Sequence, residues 1–352
     1  MKLVWAKSRR AVRAVLVTLA ALLLLAAAGG ALVTWQHTYD LREKAVTVRQ
    51  GGRTLDGVLA LPEQGQGPFP LVVFVHGDGP VNATHDTFYR PIWESLARAG
   101  YASLSWNKPG VDGSRGDWLD QTMDDRAAEA ADAIAWARKR AEIDGHRIGL
   151  WGASQAGWVL PKIVARDPAV RFVIAVSPAV NWHQQGRYNL LAELRRDGAT
   201  GAEVADALRR RERGLELLGR GATYEQYVND VGDPRGMSAA RWRFVLKNHA
   251  ADSRADLVAL RGLPVLLVLA GHDVNVDVAD TESTYRRLLP GPALRVAHYP
   301  DAAHGLVRHD VEASALRLTL TALCAPRALF ADGFLADQQN FLTSLRARGS
   351  RP

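Results

Sequence analysis

The chain has 352 residues, 47% of them apolar and 23% charged, a globular composition that argues against extended disorder. Its formal charge is +7, but Lys2, Lys7, Arg9, Arg10 and Arg13 precede the first acid, Asp40, and the remainder carries 39 basic against 37 acidic side chains. A nucleic-acid binder by bulk charge is therefore excluded, and the lone cysteine, Cys324, rules out an intramolecular disulfide or a cysteine metal cluster.

Residues 14–33, AVLVTLAALLLLAAAGGALV, carry no charge over twenty positions. About 20 apolar helical residues span a bilayer's hydrocarbon core. An uncleaved anchor would use the whole run, keep the basic flank cytoplasmic and set Trp35 and Tyr39 at the outer interface. A cleavable signal would use Val15–Ala28 and be cut at Gly29, leaving a secreted or periplasmic protein. The run exceeds the ~7–15 residues of a signal core, which favours the anchor. Both readings make residues 1–35 a targeting segment and place the rest outside the cytoplasm.

Residues 45–61 alternate apolar and polar on either side of Gly51-Gly52, a hairpin pattern. Continuous apolar runs follow at Pro70–His76, Tyr101–Trp106, Arg147–Trp151, Phe172–Ser177, Pro264–Ala270 and Leu294–Tyr299. Such runs read as parallel strands covered on both faces. Helix-length segments lie between them: Phe88–Ala99, Asp124–Arg140, Gln155–Arg166, Ala279–Leu289 and Val311–Leu323. The alternation predicts an α/β fold with a mostly parallel sheet and helices on both faces. Cys324, ending an apolar helical stretch, is expected to be a buried small hydrophobe.

From Asn181 to Gly262 no strand-like run occurs, and the interval is helical and Arg-rich, with 14 bases against 11 acids. A connection of that length is far beyond the usual ~2–6 residues, so 181–262 is an inserted subdomain. It divides the core into 36–180 and 263–352.

The sharpest chemical feature is Gly152-Ala153-Ser154-Gln155-Ala156-Gly157, between a predicted strand and a predicted helix. A serine on such a turn presents its hydroxyl above the sheet, and small residues two before and two after it let the backbones close. A nucleophilic hydroxyl needs a base, and the base an orienting acid. His304, in PDAAHG, and Asp273, in AGHD, each follow a predicted strand, where open α/β sheets place their sites. Asp277 is the rival acid, and Asp301, on the histidine's own loop, reads as a turn residue. His272, and His183 with Trp182, are further candidates for the pocket wall.

His76-Gly77-Asp78-Gly79-Pro80 follows a central strand, and its turn suits backbone N–H groups aimed at an oxyanion. The donors are assigned to the Asp78 and Gln155 amides. An inward-facing Asp78 carboxylate would repel an oxyanion, so its side chain is expected to turn away. His76-x-Asp78 with His85-Asp86 lacks zinc-hydrolase spacing, and Gly110-VDG-SRG lacks the phosphate-loop glycines.

At these residues the chain resembles the α/β-hydrolase superfamily of serine esterases. The HGDGP turn, the GASQAG elbow, GHD and DAAHG carry the likeness, with Asn107-KPGVDGS-Ser114 similar to the superfamily's loop after its fourth strand. The resemblance covers about 45–325 and lies nearest bacterial esterases of the acyl-thioesterase and dienelactone-hydrolase branches. It implies an α/β-hydrolase fold with a helical lid at 181–262. It also implies acyl transfer from a small substrate to water, without a cofactor, through Ser154, His304 and Asp273. A thioesterase, amidase or peptidase with the same residues remains open. So does a catalytically silent, membrane-tethered binding protein.

Overall fold

A computed structural model describes residues 2–232 and 236–349, with side chains from residue 16 to 346. The side chains of the basic flank, Lys2 to Arg13, and residues 233–235 of the insertion lie outside that description.

The strands are β1 (Leu41–Gln50), β2 (Arg53–Pro62), β3 (Phe69–Val75), β4 (Ala102–Trp106), β5 (Ile143–Ala153), β6 (Val173–Val176), β7 (Val265–His272) and β8 (Leu294–Ala303). They form one sheet in the order β1-β2-β4-β3-β5-β6-β7-β8. β2 pairs antiparallel with β1 and β4, and the other pairings are parallel. The hairpin turns where Gly51 and Gly52 take φ of +57° and +77°. Two left-handed residues in succession make the turn whose twist matches its strands.

The helices are α1 (Lys2–Gln36), α2 (Arg90–Arg98), α3 (Met123–Ala137), α4 (Leu160–Arg166), α5 (Trp182–Arg196), α6 (Gly201–Gly219), α7 (Tyr224–Val231), α8 (Ala239–Asn248), α9 (Val278–Leu288), α10 (His309–Glu312), α11 (Ala315–Cys324) and α12 (Phe334–Gly349). All seven residues of β3 are buried, because helices cover both faces of the sheet. Period-two geometry sends Leu71, Val73 and Val75 toward the alanine face of α3 and toward α4. It sends Val72 and Phe74 the other way, onto Ile92, Trp93 and Leu96 of α2 and Phe341 and Leu342 of α12. Burying one such side chain contributes about 1.5–3 kcal/mol. The Thr122–Asp125 capping box starts α3.

Helices α5 to α8 fill the interval between β6 and β7. Within α1, Leu16–Gln36 is long and apolar enough to cross a membrane, and its apolar run is unburied.

Three expectations need correction. The helix expected over Gln155–Arg166 is a tight turn, Ser154–Trp158, followed by α4. Pro161 restarts the helix because it has no N–H to bond backwards. The helix expected over Val311–Leu323 is two, α10 and α11, divided where Ser314 caps α11. Cys324 is exposed. The apolar face of α11 that carries it points outward instead of into the core.

Candidate active site

Ser154 sits at the end of β5 with φ of +55°, a left-handed value unfavourable for a residue with a Cβ. The surrounding chain imposes it. A Cβ on Gly152 would stand 2.7 Å from the Ala156 Cβ, and one on Gly157 would stand 2.3 Å from the Ala179 carbonyl oxygen. The Ala179 amide donates to the Ser154 carbonyl at 2.9 Å. Only small residues at 152 and 157 let the turn close this tightly.

His304 follows β8, and its Nδ1–H donates to the Asp273 carboxylate, 2.9 and 2.8 Å from Oδ1 and Oδ2. Asp273 is buried at the end of β7, where Oδ1 also accepts from the amides of Asn275 and Val276 at 2.8 and 2.9 Å. With Nδ1 committed to the acid, the imidazole Nε2 is left as the free acceptor. The insertion grips this loop, because Tyr188 Oη on α5 donates to the Asp273 carbonyl at 2.8 Å.

Asp277 is elsewhere: its Oδ1 accepts from the Asp280 amide at 3.1 Å and caps α9. Asp301 is exposed. His272, also exposed, stacks on His309 at 3.9 Å between ring centroids. Trp182 lines the cavity beside Ser154, while His183 packs edge-on against Trp182 and His249.

The turn after β3 abuts the serine. A Cβ placed on Gly77 would lie 3.4 Å from the Ser154 Cβ. The Asp78 side chain was expected to turn away, yet Asp78 borders the cavity and is paired. Its carboxylate accepts from Arg241 of α8 at 2.9 and 2.5 Å, and from Gln155 Nε2 at 2.9 Å. Burial raises the Asp78 pKa, but the Arg241 hydrogen bonds and charge, with Lys108, outweigh it and hold the carboxyl below its ordinary value. The charge is cancelled in place.

Beneath the turn lie two buried cations that the motif reading missed. Lys108, 2% exposed, donates from Nζ to the carbonyls of Gly77 at 2.6 Å and Gly79 at 2.8 Å. Burial, then the Arg126 charge, pushes its pKa well down. Arg126 on α3 donates to the Gln155 Oε1 and the His76 carbonyl, both at 2.5 Å. It thereby joins the serine turn to the turn after β3. His76 is a structural strut: Nε2–H donates to the Trp106 carbonyl at 2.5 Å, and Nδ1 accepts from Tyr89 Oη at 3.1 Å. Arg126 did leave a trace in the sequence, being a charge among Met123, Ala127, Ala130 and Ile134 on the buried face of α3. Arg241 left none.

Ser154, Gln155, Asp78 and His304 face one cavity of about 590 Å³. Phe88, Trp158, Trp182 and Phe244 are among its apolar walls, and Gln185, Asn189, Asn248 and Asn275 add polar groups to the lining.

The sequence pattern of the X-Pro dipeptidyl-peptidase (S15) family matches residues 51–289. The chain belongs to that family. It is 25% identical over 281 residues to esterase EstD of Thermotoga maritima, which covers 76% of this chain and 61% of the esterase. The chain thus spans less than two thirds of that relative's length. It is 24% identical over 288 residues to thiohydrolase apmlB of Arthrinium phaeospermum, covering 72% of this chain and 87% of that protein. Among solved structures, α/β hydrolase GrgF from Penicillium sp. sh18 superposes with a TM-score of 0.55 at 18% identity, covering 87% of this chain and all of that one. That likeness, with the sheet order, shows that this S15-family chain has an α/β-hydrolase fold.

Proposed function

We propose that the protein is a serine hydrolase that cleaves carboxylic esters at Ser154. The observation that carries this reading is the Nδ1 bond from His304 to Asp273, which orients the imidazole while Ser154 and His304 border one cavity. His304 Nε2 takes the hydroxyl proton as Ser154 Oγ attacks the ester carbonyl, and Asp273 stabilises the imidazolium. The Asp78 and Gln155 amides hold the oxyanion, each such donor worth about 2.7–4 kcal/mol. The proton returns to the leaving alcohol. Water, activated by His304, then releases the acid from the acyl-enzyme and restores the serine.

The apolar walls favour an acyl or alcohol group of hydrocarbon character, and helices α5 to α8, within 181–262, serve as the lid. Thioesters and amides pass through the same intermediate. The thiohydrolase relative and the peptidase name of the family keep both as second readings. We further propose that α1 remains attached and anchors the catalytic body on the outer side of a membrane, on the strength of its wholly unburied apolar run.

The test is hydrolysis of matched p-nitrophenyl esters, acyl thioesters and aminoacyl amides by the wild type and by Ser154→Ala. Ester turnover that disappears in the variant supports the reading. Turnover of amides alone would shift it to a peptidase, and no Ser154-dependent turnover would leave a binding protein.

A further inference from the structure

Outside α1, the large apolar side chains exposed among the described residues are Val258, Leu316, Leu320 and Leu323. Three of the four belong to α11. Their spacing of four and three sets them on one helical face, and they are 69%, 51% and 58% exposed. Cys324, also exposed, continues the face one turn beyond Leu320. Scattered surface leucines need no explanation, whereas a row along one helix marks a surface built to lie against something apolar.

The attachment of α11 indicates what covers it. His37 Nε2–H donates to the Leu323 carbonyl at 2.8 Å, fastening the last turn of α11 to the end of α1. Arg327, just beyond, donates to the carbonyls of Gln36 at 2.6 Å and Thr38 at 2.8 Å. It is held in turn by Glu94 at 2.7 Å. The Leu323 carbonyl is therefore tied to His37, one position past the apolar helix segment Leu16–Gln36. Trp35, 66% exposed, lies two residues before His37, and such aromatic rings collect at a membrane–water boundary.

We propose that the face formed by Leu316, Leu320 and Leu323 rests in the boundary between headgroups and acyl chains of the membrane that α1 crosses. The inference rests on the anchor reading of α1. The partner is a lipid bilayer, met by an interfacial helix of the in-plane kind. The catalytic body is then held at two points and does not swing on a tether.

Cys324, the sole cysteine, permits a direct test with the full chain. A polarity-sensitive maleimide dye is attached there, and the protein is reconstituted into phosphatidylethanolamine–phosphatidylglycerol vesicles with or without nitroxide lipids labelled at a shallow acyl position. Flotation of the same sample reports the anchor separately. The expected result is a blue-shifted emission, quenched severalfold by the nitroxide. Leu316→Glu with Leu320→Glu should still float yet lose both signals. A floating protein whose dye stays water-like overturns the proposal and leaves the anchor standing. A blue-shifted dye untouched by the nitroxide also overturns it, since a second copy of the chain would then cover the face. A protein that does not float overturns the anchor and this inference together.

Discussion

Arg241 and Asp78, 163 residues apart in the chain, meet through two hydrogen bonds of 2.9 and 2.5 Å. The pair ties α8 of the insertion to the turn that abuts Ser154. Arg241 also lies over the rings of Trp118 and Phe244, 5.6 and 4.8 Å from their centroids, so its position is set by packing as well as charge. On the proposed mechanism, Arg241 cancels a carboxylate that would otherwise border the oxyanion.

Arg241→Met is accordingly expected to lower kcat for an ester about tenfold to a hundredfold, or about 1.4–2.8 kcal/mol of transition-state stabilisation. Asp78→Asn in the Arg241→Met background removes the bare charge and is expected to recover most of the loss. Kinetics of the two single variants and the double variant check this. Additive losses would show that the pair does not act through the oxyanion.

Lys108 holds the carbonyls on either side of Asp78, which fixes the orientation of the Asp78 amide. Lys108→Met should cost about tenfold in kcat with KM nearly unchanged, less than deleting an oxyanion donor outright. Steady-state kinetics on one p-nitrophenyl ester measures the split. A change confined to KM would place Lys108 in substrate binding instead.

The proposed mechanism gives the two acids after β7 separable tasks. Asp273→Asn should lower kcat by about 10⁴, through loss of the imidazole's orientation and tautomer. Asp277→Asn should leave kcat within a few-fold, because its carboxylate caps α9, and asparagine caps a helix nearly as well. Measuring kcat for both variants decides the assignment, and the reverse ranking would transfer the role to Asp277.

His76 makes stability fall with acid. Burial, then the Lys108 charge, pushes its pKa well below 6.5 in the folded chain. The unfolded chain takes up a proton at about pH 6.5 that the folded chain refuses. The folded state is therefore at full advantage above about pH 6.5 and loses it as the pH falls, by up to about 1.36 kcal/mol per pH unit for one such group. His85 is shifted the same way, mainly by burial. The thermal midpoint should drop between about pH 7.5 and 5.5, and drop less in His76→Gln, whose amide can still reach the Trp106 carbonyl. Equal drops would remove His76 from the explanation.

Much of this architecture was legible because it is local. Continuous apolar runs marked β3 to β8, and a glycine pair marked the hairpin. Ser154, Asp273 and His304 each follow a strand, so their motifs could be read from neighbours in the chain. What stayed hidden depends on distant partners. Arg241 is unremarkable in SAARWRF until α8 folds over Asp78, and Lys108 looks like a loop residue until two carbonyls close on it. Cys324 misled for a related reason: apolar neighbours predict burial, and the face they form is bound at one end to α1, whose apolar run Leu16–Gln36 is itself unburied.

The central claim is that Ser154 is a nucleophile activated by His304. The most direct measurement is labelling by a fluorophosphonate probe, followed by mass spectrometry of the modified peptide. The account predicts a single adduct on Ser154, absent in Ser154→Ala and strongly slowed in His304→Ala. Equal labelling of wild type and Ser154→Ala, or no labelling of the wild type, would contradict it.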